Sequence, residues 1–334
     1  MNPAESASGQ TLDSMLKKKM PALGIDLGGT KLSAAVVSDF KVISEPRTVP
    51  TPHGADNIVS AIVDLIKSFQ NEHVLAGAGI ATAGVVDPTT GNILGSTGNL
   101  PGWEGTPLKT LIESRTMLPI QVDNDANAAA YGDTLAMRME DKECVIGVTL
   151  GTGIGTGIIM RGKVYRGAHL AAAEGGHMRI SLGNQRFCTC GLFDCWEEYG
   201  SGRGLVATTK ELLPGVTSAQ SELANHVEFL TTRMITAAAD NGDIIAQKGM
   251  NIWHQHLAAG IASLAHILDP ECFIISGGLS SVVDFELLRE MVIDRCMPRY
   301  AESVQILHSE LGIYAGIIGA AHEVLTHISK PPAA

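Results

Sequence analysis

The sequence predicts an α/β protein of two lobes made by internal duplication. Three observations carry that expectation. The apolar runs 22–26 and 32–37 flank a Gly-Gly-Thr turn, the runs 144–150 and 156–160 flank a second Gly-rich turn, and each pair is followed by helical and strand-like stretches with similar punctuation. A chain of 334 residues is long enough to bury two such cores. With 45% hydrophobic and 18% charged residues, its composition is that of a packed protein and not a disordered one.

The first pair of runs reads as a β-hairpin, and residues 42–49 supply a third strand. Ile58, Ile62, Leu65 and Ile66 recur at helical spacing, so an amphipathic helix is expected over 57–69, ahead of a strand over 75–81. Residues 87–103, rich in Gly, Pro, Asn and Thr, read as a loop of the kind that carries function. A strand over 120–122 leads into a helix that begins near Asp125 and runs to Tyr131. The second hairpin follows, then mostly helical patterns over 202–268 that Pro270 closes, a buried strand over 272–276, a helix over 285–296, a strand over 304–307 and a terminal helix over 315–325.

A net charge of −11 argues against a nucleic-acid partner, because phosphate contacts need clustered Lys and Arg. Lys17, Lys18 and Lys19 form the one basic run, inside a Ser-rich stretch, 1–20, expected to be a flexible leader. No apolar run is as long as a membrane span and the leader does not resemble a signal peptide, so no membrane partner is expected and the cytoplasm is the expected location.

Asp26 stands at a strand end before Gly28, Gly29, Thr30 and Lys31, a turn that is either a simple hairpin connection or a place where backbone N–H groups meet an anion. Gly151, Thr152 and Gly153 open a second such turn, and the two would face each other across a cleft. Gly277 and Gly278 form a third turn, placed where an adenosine would lie against backbone. None of these is a P-loop, which needs G-x-x-x-x-G-K-[ST], and the second also fails G-x-G-x-x-G, so hydride transfer is disfavoured as well. Asp125 has two readings: a cap on the helix it opens, or a general base that orients a sugar hydroxyl and accepts its proton late, as the oxygen attacks a γ-phosphate. Asn124 beside it offers donor and acceptor groups that suit vicinal hydroxyls.

His177, Cys188, Cys190 and Cys195 match the Cys₃His ligand set of a closed, structural zinc site. Core packing explains isolated cysteines such as Cys144, Cys272 and Cys296, but does not ask for C-x-C-G with a third Cys five residues on. The same loop carries Glu174 and Glu197, carboxylates able to hydrogen-bond polyols. Thiols held by zinc suit a reducing compartment.

Asp26-Leu-Gly-Gly-Thr-Lys31, Asn124-Asp125, Leu150-Gly-Thr-Gly153, Glu174-x-x-His177 with C-x-C-G-x-x-x-C, and Ile275-Ser-Gly-Gly278 together resemble the ROK (repressor, open reading frame, kinase) sugar kinases of the actin-like ATPase superfamily, over residues 22–325. The resemblance implies two actin-like (ribonuclease H-like) ATPase domains around a cleft, with a zinc-binding loop. The N-terminal lobe would be 21–125 plus 312–330, and the C-terminal lobe 126–311 with the zinc loop at 174–198. It implies a homodimer, ATP with Mg²⁺, structural Zn²⁺, and transfer of the γ-phosphate to a hexose 6-hydroxyl with Asp125 as base. Asn124, Glu174, His177 and Glu197 would bind the sugar, with Gly84, Thr97 and Asn99 lining the same pocket, and His177 would give one ring nitrogen to the metal and one to the sugar. Asp26, Gly28, Gly29, Thr30, Lys31, Gly151, Thr152, Gly153, Gly277 and Gly278 would bind ATP.

Two positions depart from the pattern: Asp194 stands where members carry Gly, a change expected to strain or redirect the zinc loop, and Ala83 stands where they carry Pro, loosening a turn. The loop Asn99-Leu-Pro-Gly-Trp103 looks like that of the glucokinases in the family, which makes glucose the first substrate and N-acetylmannosamine, N-acetylglucosamine, fructose, mannose and allose the alternatives. A repressor of this family would need a helix-turn-helix ahead of the first turn, for which about twenty residues are too few. A non-enzymatic sugar sensor is the remaining alternative, against which stands the presence of Asp26, Lys31, Asp125 and both glycine turns.

Overall fold

The computed structural model describes residues 20–96, 100–301 and 303–329, so Thr97, Asn99 and all of the expected leader except Met20 lie outside the described residues. The chain forms two compact units. One gathers the residues up to Met139, the segment Arg166–Ala172 and the chain from Ile313 onward; the other comprises Glu140–Tyr165 and Ala173–Gly312.

In the first unit β1 (Ala22–Leu27) and β2 (Lys31–Ser38) pair as the expected hairpin. The single strand expected over 42–49 is instead two short ones, β3 (Lys41–Val42) and β4 (Arg47–Pro50), both antiparallel to β2. Helix α1 (Ala55–Gln70) buries Ile58, Ile62, Ile66 and Phe69, the stripe that its periodicity marks. The stretch expected to be loop contains a second hairpin, β6 (Val85–Asp87) with β7 (Asn92–Gly95), after β5 (Ala78–Thr82). Its strands are three and four residues long, too short for alternation to stand out among turn residues. Helix α2 (Leu108–Thr116), β8 (Ile120–Asn124) and α3 (Asp125–Ala136) follow, and the C-terminal helix (Ala315–Ser329) returns to this unit.

The main sheet runs β3-β2-β1-β5-β8, with β1, β5 and β8 parallel. Its register aligns Asp26 with Ala81 and Asp123, and Leu27 with Thr82 and Asn124, so residues far apart in sequence form two adjacent rows at the carboxyl ends of three parallel strands. Ligands of open α/β sheets bind at that edge. The C-terminal helix lies directly on the sheet, where a Cβ on Gly79 would come within 1.8 Å of the Ala320 carbonyl oxygen. It also packs on α3, where a Cβ on Gly319 would meet the Ala128 carbonyl oxygen at 1.8 Å. This contact holds α3 in the first unit and sets the boundary after Met139, where the expected lobe ended at Asp125.

The second unit repeats the plan. Hairpin β9 (Cys144–Leu150) and β10 (Ile154–Met160), with β11 (Lys163–Val164) at the edge, is followed by parallel β12 (Cys272–Ser276) and β13 (Gln305–His308) in the order β11-β10-β9-β12-β13. Between the hairpin and β12 run α4 (Glu197–Gly200), α5 (Gly202–Leu212), α6 (Thr232–Asp240) and α7 (Ile244–Leu268). Helices α8 (Phe285–Ile293) and α9 (Pro298–Ala301) precede β13. Trp196, Trp253, Leu257, Ile261, Phe273 and Ile275 form its core. Among the described residues no helix is long and apolar enough to cross a membrane.

Candidate functional site

In the first unit the expected nucleotide and base residues share one sheet edge. Gly28, Gly29 and Thr30 form the β1–β2 turn: the Gly28 N–H bonds the Lys31 carbonyl at 3.0 Å, Thr51 Oγ1 donates to the Gly28 carbonyl at 2.7 Å, and the Thr51 N–H to that of Thr30 at 3.1 Å. Both readings of the turn survive, for it joins a hairpin and leaves Gly29, Thr30 and Lys31 exposed. Asp26 is half-buried at the strand end. Burial, then repulsion from Asp125, raises its carboxyl from 3.8 to about 6, against the pull of Lys31.

The cap of α3 is Asn124 and not Asp125. Its Oδ1 accepts the N–H groups of Ala126 and Asn127 at 2.9 and 3.1 Å, and its Nδ2 donates to the Gly84 carbonyl at 3.1 Å. With its acceptor spent on the helix, what Asn124 has left for a hydroxyl is an amide N–H. Asp125 therefore begins the helix, one oxygen held by the Ala126 N–H at 2.9 Å. Burial raises its pKa, offset in part by backbone N–H groups that favour the anion. Gly84 joins β5 to β6 beside Asn124. Ala83 donates its N–H to the Leu27 carbonyl at 3.4 Å, a tie that proline at this position would lack, so the departure adds a weak bond to the turn that it was expected to loosen. The indole of Trp103 is fully buried and donates to Thr82 Oγ1 at 3.0 Å, which anchors the end of the 99–103 loop to the same edge.

In the second unit the turn at Gly151 and the turn at Gly277 meet at the carboxyl ends of β9 and β12. The Gly151 carbonyl accepts the Gly202 N–H at 2.9 Å, and the Leu150 carbonyl accepts the Leu279 N–H at 3.1 Å. Gly277 has φ +88, and a Cβ there would lie 2.5 Å from the Leu150 carbonyl oxygen, so only glycine fits. Thr152 and Gly278 are exposed beside it. A Cβ on Gly153 would come within 2.4 Å of Glu197 Oε2, which places this turn against the loop expected to bind metal.

That loop brings together all four expected ligands. One donor atom each from His177, Cys188, Cys190 and Cys195 lies within 4.8 Å of the others. Cys188 Sγ is 3.6 Å from His177 Nδ1, and Cys190 Sγ is 3.6 Å from Cys195 Sγ. Tetrahedral zinc, at about 2.3 Å from sulfur and about 2.0–2.1 Å from nitrogen, sets its ligand atoms about 3.5–3.8 Å apart, so the residues fit that ion. Burial above all pushes the Cys195 thiol up to about 11 and the Cys188 thiol higher still, with Glu197 adding to the latter, and a bound cation is what lets such thiols ionise. The two ring nitrogens face different partners: Nδ1 lies 3.6 Å from Cys188 Sγ and 3.7 Å from Glu197 Oε1, and Nε2 lies 3.9 Å from Glu174 Oε2. Glu174 is exposed, whereas Glu197 is buried and accepts from Cys188 Sγ at 3.0 Å.

Asp194 does hold the left-handed backbone expected of glycine, with φ +60. With Asp194 in place the four expected ligands still converge. Asp194 is fully buried, and its Oδ1 accepts the N–H groups of Gln185 and Arg186, both at 3.0 Å, and the Tyr199 hydroxyl at 2.7 Å. Those donors, led by the Arg186 N–H, hold its carboxyl at about 2. Asp194→Gly is expected to relieve the backbone and still lower the melting temperature, because three donors lose a buried acceptor. A melting temperature equal to or above that of the parent would show the strain to be the larger effect.

Two arginines escaped the reading of the sequence. Arg203, in the first turn of α5, reaches Glu198 Oε1 at 3.0 Å and Glu197 Oε1 at 3.4 Å. A cation at a helix N-terminus opposes the helix dipole, and that was the local signal that carboxylates lie nearby. Arg166 bonds Asp123, forty-three residues away, and nothing local marks it.

A titration follows from Asp26. A carboxyl raised in the folded state favours folding below its unfolded pKa of about 3.9 and loses that contribution as the pH rises through about 6. Asp26→Asn is thus expected to stabilise the ligand-free, chelator-treated protein by about 2–3 kcal/mol at pH 7.5, with the gain vanishing near pH 4. Denaturant melts across that range check it, and a gain independent of pH would exclude the titration.

Residues 22–327 match the ROK family. The glucokinase of Streptomyces coelicolor is 34% identical over 313 residues, spanning 90% of this chain and 96% of that protein. The N-acetyl-D-glucosamine kinase of Salmonella paratyphi B is 28% identical over 318 residues, spanning 91% and 99%. Among solved structures, a ROK family glucokinase from Streptomyces griseus in complex with glucose and AMPPNP is similar with a TM-score of 0.78 and 35% identity, covering 91% of this chain and 98% of that one. Each unit carries the actin-like ATPase fold that the resemblance implied. The match runs through both units and a relative exceeds 30% identity over nearly the whole of both chains, and on these grounds the chain belongs to the ROK family.

Proposed function

We propose that this protein is an ATP-dependent hexokinase that phosphorylates the 6-hydroxyl of glucose. The observation that carries the reading is Asp125, set by the Asn124 cap at the carboxyl edge of the first unit's sheet, the edge at which β1, which carries Asp26, also ends, in a chain 34% identical to a glucokinase. In the transfer, the bond from the sugar O6 to the γ-phosphorus forms as the bond from that phosphorus to the β,γ-bridging oxygen breaks. The electron pair leaves with ADP and the O6 proton passes to Asp125. A carboxylate cannot deprotonate an alcohol in the ground state, so the proton moves late, and orientation of O6 is the larger part of the work of Asp125.

The turns at Gly28–Lys31, Gly151–Gly153 and Gly277–Gly278 are assigned to ATP, and Asp26 would hold the Mg²⁺ that accompanies the nucleotide, which would offset phosphate charge. Glu174, His177 through Nε2, Glu197, the remaining N–H of Asn124, and Gly84, Thr97 and Asn99 are assigned to the sugar. Bound zinc would pin the 174–198 loop through His177, Cys188, Cys190 and Cys195, and four protein ligands leave no position for substrate. Reduced cysteines of this kind suit the cytoplasm, and a homodimer is the proposed assembly.

The test is a coupled ADP-release assay with ATP, Mg²⁺ and glucose, mannose, fructose, allose, N-acetylmannosamine or N-acetylglucosamine. The highest kcat/KM is expected on glucose. A higher value on N-acetylglucosamine, the substrate class of the 28% identical relative, would reassign the sugar and keep the reaction. Glucose that binds by calorimetry without turnover of any sugar would make the protein a sensor and overturn the kinase reading.

A further inference from the structure

Behind the strand end that carries Asn124 and leads into Asp125 lies a largely buried cluster of one guanidinium and two carboxyl groups, Arg166, Asp123 and Glu323, to which none of the roles above is assigned. Asp123, next to last in β8, is 1% exposed. Its Oδ1 accepts the Asn124 N–H at 2.7 Å, and its Oδ2 accepts from Arg166 Nη2. The same Nη2 lies 3.8 Å from Glu323 Oε1 on the C-terminal helix. The Arg166 side chain is 21% exposed and that of Glu323 10%. Arg166 opens the segment Arg166–Ala172, which belongs to the first unit although the elements before and after it belong to the second.

Burying two carboxylates around one guanidinium is costly, and a hydrophobic cluster of the same volume would serve stability as well. What this cluster supplies is direction. Both oxygens of Asp123 are engaged, one by the guanidinium and one by the peptide N–H of the residue that caps α3. Asn124 is thereby held from its backbone by Asp123 and from its side chain by Ala126, Asn127 and Gly84, and Asp125 is the next residue.

We propose that Arg166 is a positioning residue for phosphoryl transfer: by holding Asp123 it fixes the peptide of Asn124, and with it the helix start from which Asp125 meets the sugar hydroxyl. The inference rests on the reading of Asp125 as the base. A misplacement of about 1 Å in such a group costs on the order of 100-fold in rate.

The experiment compares Arg166→Lys, Arg166→Met/Glu323→Gln and Asp125→Asn, alone and with Asp125→Asn added to the pair, each checked for folding by circular dichroism. Glu323→Gln keeps an uncharged hydrogen-bonding group where burial and then Asp123 push the Glu323 carboxyl well above the ordinary carboxylate range, so that the loss of the cation is read at Asp123. The kcat of the Met/Gln pair is expected to fall about 10- to 100-fold while the KM for ATP stays within about twofold. In the Asp125→Asn background the same pair should lower the residual rate by less than about threefold, because groups that act through one another are not additive. Arg166→Lys, which folds with the charge retained, should recover part of the rate. An unchanged kcat in the folded pair or in Arg166→Lys together with it, or a full multiplicative loss in the Asp125→Asn background, would overturn the positioning role. Ordinary turnover by Asp125→Asn alone would instead remove the base reading. An inactive Asp125→Asn beside fully active Arg166 variants would leave the base and reject only the positioning.

Discussion

Asp125→Asn is expected to lower kcat by about 10²- to 10⁴-fold, the usual contribution of a general base, with the fold and ATP binding intact. The amide keeps the shape of the side chain and an oxygen for the Ala126 N–H, so α3 keeps its start. What it loses is the ability to take the O6 proton. Because the cap is Asn124, removing the charge at Asp125 does not uncap the helix, and stability and activity should separate cleanly. Burial raises the pKa of this carboxyl, so the acid limb of kcat/KM against pH should lie above the ordinary carboxylate range. Measuring kcat, the melting temperature and nucleotide affinity on one preparation checks all of this. Wild-type turnover in the variant would remove Asp125 from the chemistry.

Stripping the metal, or changing Cys190 to Ala, is expected to raise the KM for the hexose about 10- to 100-fold and to lower the melting temperature, with a smaller effect on the KM for ATP. The asymmetry follows from where the ligands sit. Glu174, His177 and Glu197 all belong to the loop that the ligand set closes, and His177 and Glu197 both touch Cys188. Without the ion, His177 Nδ1 keeps only its contacts to Cys188 Sγ at 3.6 Å and Glu197 Oε1 at 3.7 Å, a weaker hold on the ring that turns Nε2 toward Glu174. Metal content per chain, followed by kinetics before and after chelation, checks the claim. Purified protein that holds no zinc, or a sugar KM that chelation does not move, would reject it. The loop does not depend on the metal alone: Arg186 bonds Glu211 at 2.9 Å and the Glu198 carbonyl at 2.8 Å, and Asp194 holds Gln185 and Arg186. The loss on chelation should accordingly be local and not a global unfolding.

Much of this site was legible one segment at a time. The two hairpins, the stripe of α1 and the strand over 272–276 were readable because periodicity and turn chemistry are local. The Cys₃His set was readable because its residue types and spacing, four donors within nineteen positions around a glycine turn, are those of a zinc loop, and the fold brings them together. The hairpin at Val85–Gly95 was not, since strands this short carry no periodic signal of their own. The choice between Asn124 and Asp125 as cap was undecidable locally, because both are good caps and the difference lies in where β8 ends.

Local sequence carried the inventory: two hairpin-led α/β halves, a base candidate at a strand-to-helix junction, three glycine turns and a cluster of one His and three Cys. The arrangement within each unit came from strand register and helix packing. The parallel register of β1, β5 and β8 brings the end of β1 that carries Asp26 level with the end of β8 that leads into Asp125, so that burial and then Asp125, about a hundred residues along the chain, raise the carboxyl of Asp26. Packing of the C-terminal helix on that sheet brought Glu323 to Arg166 and Asp123. These are long-range facts. Charge coupling and buried ion pairs depend on distance in space, and distance along the chain does not encode it.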